Sequence, residues 1–517
     1  MCRAPLLFAA FSLVSAVVLP SSESRTVSLP FLKVTGFVHD SSAGIDLPTP
    51  ILSWYSIPYA APPTGPLRFS YPQPPIKSSQ PSNNTDYGPL CLQAPGEFPL
   101  SEDCLTLSVF APAGTTPDAK LPVVVWIPGG SFNLGGGRSF NMPSMISNAP
   151  APFIGVSINY RLGALQSLSS ELAHEANTLN LGFADQRASL RFVQRYISLF
   201  GGDPNKVTLF GESAGAHSVG YHLLHEDLGA TKLFHQVIMD SGAPTARAFP
   251  NYTYPIYETQ THEFLGRVGC EDIKGAQATF KCLRSLNASL IQNVSASFNS
   301  DEGSIFAPQN LTTNAEFKAW WQVLVPSLTC DLLEKIEELY PSPYAPDSPY
   351  AKYTKSPQYE RMVAAYGDYA YISQVQNTAV EVAKWEINGA SVYKYHFAQT
   401  VGNNTFVYHA SELAFISVAG LTGDAKALAL LMNAYYTSCK FSEYPLSAEF
   451  TYTRTSPVIV TGDPNLLLPS DSTAWPTYRT DAQNQLRFQG TQATVEADDI
   501  RREATEFWRS IPEVLQH

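Results

Sequence analysis

The chain has little positive charge. Lys+Arg number 33 against 45 Asp+Glu, a formal net charge of −12 with a pI near 5.3. That balance argues against nucleic acid or an anionic membrane surface as a partner, since both are recruited by basic patches. Long apolar runs are also missing: beyond the N-terminus no stretch reaches the ~18 residues that a membrane-crossing helix needs. No Gly/Ser linker, internal repeat or long charge run divides the 517 residues, so one large domain with insertions is expected rather than a string of modules. No metal-ligand spacing and no dinucleotide fingerprint stands out, and no metal or cofactor is expected.

What is present begins with an export signal. Arg3 precedes an apolar run from Leu6 to Leu19, and Val14-Ser15-Ala16 offers a small-residue cleavage site, so residues 1–24 read as a secretory signal peptide. At about fourteen residues the run is short for a span. Six N-x-S/T sequons agree with export, at Asn83, Asn251, Asn287, Asn293, Asn310 and Asn403. Cysteine usage suits an oxidising compartment. Cys91 and Cys104 are close in sequence, as are Cys270 and Cys282, and two local disulfides are expected; the sequence leaves open whether Cys330 and Cys439 pair.

The chemistry centres on Lys206 to His217. Val207, Leu209 and Phe210 form a short apolar run suited to a buried strand, and a proline-free stretch from Ala214 to Leu224 suits a helix. Between them stands Gly211-Glu212-Ser213-Ala214-Gly215, the G-x-S-x-G pattern that places a serine on a sharp strand-to-helix turn. A hydroxyl is a weak nucleophile unless a base reaches it and its approach is open, which is why small residues flank it. Upstream, Leu190, Val193, Ile197 and Phe200 recur at helical spacing, and Gly201-Gly202-Asp203-Pro204 closes that helix. Val123 to Ile127 is a continuous apolar run, the mark of a strand covered on both faces. It ends in Pro128-Gly129-Gly130-Ser131-Phe132, a turn that can present backbone N–H groups to an oxyanion.

Several segments together resemble the type-B carboxylesterase/lipase family, relatives of the cholinesterases. They are residues 54–69 (Trp54-Tyr55-Ser56-Ile57-Pro58-Tyr59 through Leu67-Arg68-Phe69), Ser101 to Phe110, Val124 to Phe132, Ser157 to Gly163, 182–215 and Asp240 to Ala243, in family order. The resemblance implies an α/β-hydrolase fold, a central mostly parallel sheet flanked by helices, filling 25–517 with a helical insertion at about 310–390. It also implies a Ser-Glu-His triad. Ser300-Asp301-Glu302-Gly303-Ser304-Ile305-Phe306 is similar to the family's acid loop, which selects Glu302 over Asp301. Of the later histidines, His396 sits in a strand-like run and His517 is terminal. His409, in His409-Ala410-Ser411-Glu412-Leu413, resembles the family histidine. His217 and His222 are too local to the elbow helix to serve as its base.

The implied oxyanion hole comprises the N–H groups of Gly130, Ser131 and Ala214. Ser131 departs from the family's usual third glycine, so its donor survives only if the backbone there tolerates a Cβ. Glu212 matches a family glutamate beside the nucleophile, a candidate for stabilising charge in the substrate pocket; an ordinary solvated carboxylate is the competing reading. The Cys91–Cys104 loop carries no tryptophan and is short, which disfavours a choline site or a long interfacial lid. The resulting expectation is a secreted serine carboxylesterase acting on small-molecule esters without an integral membrane anchor. The alternatives are a lipase for longer chains, an acyltransferase with the same triad, and a non-catalytic cholinesterase-like binding protein. The sequence leaves the oligomeric state open.

Overall fold

A computed structural model of the chain describes residues 24–225, 232–244, 251–302, 308–352, 355–385, 391–400, 407, 409–438, 464–465 and 468–515. Residues 1–23 of the signal segment, Asn403, Cys439 and His517 lie outside these residues.

Eight strands form the main sheet: β1 (Ser24–Ser28), β2 (Lys33–Ser42), β3 (Ile45–Pro58), β4 (Thr106–Pro112), β5 (Leu121–Ile127), β6 (Ile154–Ile158), β7 (Gly202–Glu212) and β8 (Gln236–Asp240). Their order is β1-β2-β3-β4-β6-β5-β7-β8. The half that carries the site, β6-β5-β7-β8, is parallel, and the strands β1 to β4 extend it antiparallel. β5 is central as its composition predicts: Val123, Val124, Val125 and Ile127 have no exposed surface, with helices covering both faces. Each such side chain contributes about 1.5–3 kcal/mol by leaving water.

Register places the strand ends together. Ile127 of β5 pairs with Gly211 of β7, and Glu212 of β7 pairs with Asp240 of β8. Three loops therefore leave the same C-terminal edge side by side, which is where open parallel sheets build their sites. Helix α1 (Leu181–Tyr196) covers most of the predicted amphipathic segment, whose last residues, Ile197–Phe200, form a 3-10 turn closed by Gly201, and α2 (Ala214–Leu224) follows the serine turn. The predicted disulfides Cys91–Cys104 and Cys270–Cys282 are both formed. Asn83, Asn251, Asn287, Asn293 and Asn310 are exposed.

In the expected insertion, α3 (Ala288–Glu302) precedes α4 (Asn314–Leu324), α5 (Cys330–Leu339), α6 (Tyr359–Gly367) and α7 (Ser373–Trp385). Phe317, Trp321, Ile336, Tyr340 and Met362 form a core of their own, closed by Trp508 of α8 (Arg502–Ser510). A π-helical turn, Asp368–Ile372, joins α6 to α7. Its buried Asp368 carboxylate accepts from Arg501 at 2.7 and 2.6 Å and from the Tyr340 hydroxyl at 2.8 Å, so the wide turn is held from two sides. The extra residue of a π turn leaves no trace in apolar spacing, so the insertion's helices could not be separated here from sequence.

Candidate active site

Ser213 occupies the turn from β7 to α2 with φ 55° and ψ −123°, a conformation an L-residue adopts only when its surroundings impose it. The surroundings do so: the Ser213 N–H donates to the Asp240 carbonyl at 2.9 Å, and the Ser213 carbonyl accepts from the His217 N–H at 2.9 Å. The motif glycines are steric requirements. A Cβ on Gly211 would stand 2.3 Å from the Gly215 carbonyl carbon, and one on Gly215 would stand 2.1 Å from the Ile127 carbonyl oxygen.

The glycine-rich turn after β5 folds against the serine. A Cβ on Gly129 would lie 3.1 Å from Ser213 Cβ and 2.8 Å from Glu212 Oε2. Tyr160 holds the turn's start by donating to the Pro128 carbonyl at 2.9 Å, and the Gly163 N–H holds its far side through the Phe132 carbonyl, also at 2.9 Å. Ser131 and Phe132 both sit in the left-handed region, at φ 54° and 63°. The backbone thus tolerates the Cβ at Ser131, at a cost of about 1–2 kcal/mol. Among the described residues the N–H groups of Gly130, Ser131 and Ala214 donate to no backbone carbonyl outside regular elements. Ala214 also opens α2, where the helix dipole is positive.

His409 lies in a turn before a short helix, Leu413–Ile416, as its motif suggests. Its Nε2 stands 3.0 Å from Glu212 Oε1, within ion-pair reach though not aligned as a hydrogen bond. The Tyr371 ring of the π turn packs on the imidazole with centroids 4.8 Å apart. Among the described residues no hydrogen bond joins Ser213 Oγ to His409. Glu302 ends α3, so the acid segment is helical up to that residue where a loop was expected, and the Glu302 side chain lies outside the described part.

Glu212 is not a solvated carboxylate; its side chain is only 7% exposed. Burial, reinforced by the neighbouring Glu412 and Asp240 carboxylates, pushes its carboxyl up to about 9. A protonated His409 would oppose that shift, but their contact is poorly aligned and burial prevails. Burial, with the Glu412 carboxylate beside it, also raises Asp240, and burial alone raises Glu412. Asp240 accepts from the Tyr436 hydroxyl at 2.9 Å, and Glu412 accepts from the Ser241 hydroxyl at 2.8 Å. Sequence reading singled out neither Glu412 nor Ser241; 171 residues separate them, and only the fold brings them together. His217 and His222 are packing residues, buried and bound to the Ala243 carbonyl and the Gln186 amide. His396 is likewise engaged elsewhere, with Glu496 at 2.8 Å.

Beside His409, Ser241 and Glu412 lies a cavity of about 560 Å³, whose lining includes Tyr359, Val363, Tyr366, Tyr371, Ile372 and Val375. No group of metal-ligating side chains is assembled among the described residues, and none of their helices is long and apolar enough to cross a membrane.

A serine on a strained strand-to-helix turn, faced by a glycine-rich turn at the C-terminal edge of a parallel sheet, defines an α/β-hydrolase. The family model described as the carboxylesterase family matches residues 23–310, and the chain belongs to that family of carboxylic ester hydrolases. It is 34% identical over 515 residues to secreted lipase 4 of Gibberella zeae, covering 90% of this chain and 89% of that one. It is 29% identical over 456 residues to lipase 2 of Geotrichum candidum, covering 69% and 79%. In fold it is similar to Aspergillus niger EstA, with a TM-score of 0.78 at 24% identity over 96% of this chain and 99% of that one.

Proposed function

We propose that the protein is a secreted serine carboxylesterase that cleaves small-molecule carboxylic esters through an acyl-enzyme. The carrying observation is Ser213, at φ 55° on its turn, with Gly129 packed against it. In this reading Ser213 Oγ attacks the ester carbonyl while its proton passes to His409 Nε2. The oxyanion formed is met by the N–H groups of Gly130, Ser131 and Ala214. Collapse of the tetrahedral adduct expels the alcohol, which takes the proton from His409. Water, deprotonated by the same imidazole, then releases the acid and restores the serine. Glu302 is assigned as the carboxylate that orients His409, on the strength of its motif. Residues 1–24 act as the export signal, residues 25–517 form one catalytic unit with its insertion at about 310–390, and the six sequons are its glycosylation sites.

A second reading, a lipase for longer acyl chains, draws support from the cavity of about 560 Å³ beside His409 and from the likeness to secreted lipase 4. Pockets of this size and apolar lining take ligands well beyond an acetyl group. The test is hydrolysis of p-nitrophenyl esters from acetate to palmitate by the secreted protein. Highest kcat/KM at short or medium chains supports the esterase; a maximum at palmitate, rising further at an oil–water interface, supports the lipase.

A further inference from the structure

The turn that faces Ser213 is braced by a side chain from outside the triad and the oxyanion donors. Gln93 lies in the Cys91–Cys104 loop, and its amide makes two antiparallel hydrogen bonds to one residue of that turn. Its Nε2 donates to the Gly135 carbonyl at 2.9 Å, and its Oε1 accepts from the Gly135 N–H at 2.8 Å. Nε2 also donates to the Cys91 carbonyl at 3.0 Å, which fixes the amide's orientation at the base of the disulfide.

Gly135 is the closing residue of the turn. The N–H groups of Asn133 and Leu134 both return to the Gly130 carbonyl, at 2.9 and 3.0 Å. A Cβ on Gly135 would stand 2.6 Å from the Gly129 carbonyl oxygen. Gly135 thus packs closely on Gly129, and its neighbours Asn133 and Leu134 are bonded to Gly130, so its placement bears on the residues that carry the donors. The Gln93 carbonyl in turn accepts from Gln292 Nε2 of α3 at 2.9 Å, which ties the same loop to the helix ending at Glu302.

We propose that Gln93 is a positioning residue: by gripping Gly135 it aims the Gly130 and Ser131 N–H groups at the developing oxyanion. The disulfide loop is then part of transition-state stabilisation rather than a cover over the site. This rests on the esterase reading above. An oxyanion donor contributes about 10²–10³ in rate when correctly placed, and misalignment forfeits part of that. Because the contact matters only when charge develops, its loss should fall on kcat and leave KM nearly unchanged.

The experiment compares wild type, Gln93→Ala and the similarly sized Gln93→Met on p-nitrophenyl butyrate. Affinity for an aryl trifluoromethyl ketone, whose serine adduct carries the oxyanion, is measured beside melting temperature. The proposal predicts a 10- to 100-fold loss in kcat, KM within about threefold, a matching loss in ketone affinity, and little change in melting temperature. Methionine is included so that a poorly folded alanine variant does not leave the question open. Unchanged kcat and ketone affinity in either folded variant would overturn it. So would a loss that follows melting temperature and raises KM equally, since that is the mark of a structural role. If wild type itself fails to hydrolyse any ester, the esterase reading falls instead, a result separable from the others.

Discussion

His409 Nε2 stands 3.0 Å from Glu212 Oε1, so the proposed base rests beside the residue that precedes the nucleophile. To take the serine proton the imidazole must exchange this neighbour for Ser213 Oγ. The buried carboxyl, which keeps its proton up to about 9, is then the group that faces the imidazolium during turnover.

Replacement of Glu212 by glutamine tests that role. With its proton held up to about 9, Glu212 is neutral near pH 7, so the neutral amide should keep kcat within about threefold there, and a 10-fold loss would show that Glu212 acts as a carboxylate. Stability should change more than activity. The folded carboxyl keeps its proton up to about 9, whereas the unfolded one releases it near its ordinary value. The folded state therefore binds more protons between those limits, and wild-type stability falls as pH rises through them. Glutamine does not titrate, so thermal unfolding of Glu212→Gln should show an advantage over wild type that grows from pH 5 to pH 8. An advantage that is flat with pH would contradict a raised Glu212.

Ser131 sits at φ 54°, and its proposed donor is a backbone N–H. Ser131→Gly should therefore retain kcat within about threefold, because the N–H persists and the left-handed strain is removed. Gly129→Ala should be far worse, since its Cβ would meet the Glu212 carbonyl oxygen at 2.4 Å. Parallel kinetics on p-nitrophenyl butyrate would separate the two.

The π turn that carries Tyr371 onto His409 depends on Asp368, which is fully buried, and on Arg501. Arg501→Met would leave that carboxylate with only the Tyr340 hydroxyl. The Arg501 side chain is 40% exposed, so solvent screens part of the pair; a buried carboxylate that loses a partner costs about 1–3 kcal/mol, and urea unfolding should show a loss in that range. A loss under 0.5 kcal/mol would mean the turn is held by packing alone.

Most of the scaffold was legible from local pattern. Continuous apolarity announced β5, helical spacing announced α1, and G-E-S-A-G announced the elbow, because each is a short-range consequence of burial or of steric clearance around one backbone turn. The two disulfides were legible for the same reason, being local. What could not be read depends on contacts far apart in the chain. Glu212 appears equally suited to a solvated helix start until β8 brings Asp240 beside it and the loop after His409 brings Glu412. Ser241 meets Glu412, and Gln93 meets Gly135 and Gln292, with no periodicity to signal them. The expectation of a loop at Glu302 came from motif resemblance, and the backbone there is helical instead.

If Ser213 is the acyl-accepting nucleophile, p-nitrophenyl butyrate turnover must depend on its hydroxyl, and wild type is compared with Ser213→Ala. Rapid hydrolysis by wild type and a fall on the order of 10⁶ in kcat for the alanine variant, at unchanged melting temperature, are expected. A folded alanine variant that keeps a tenth or more of the wild-type rate would contradict it.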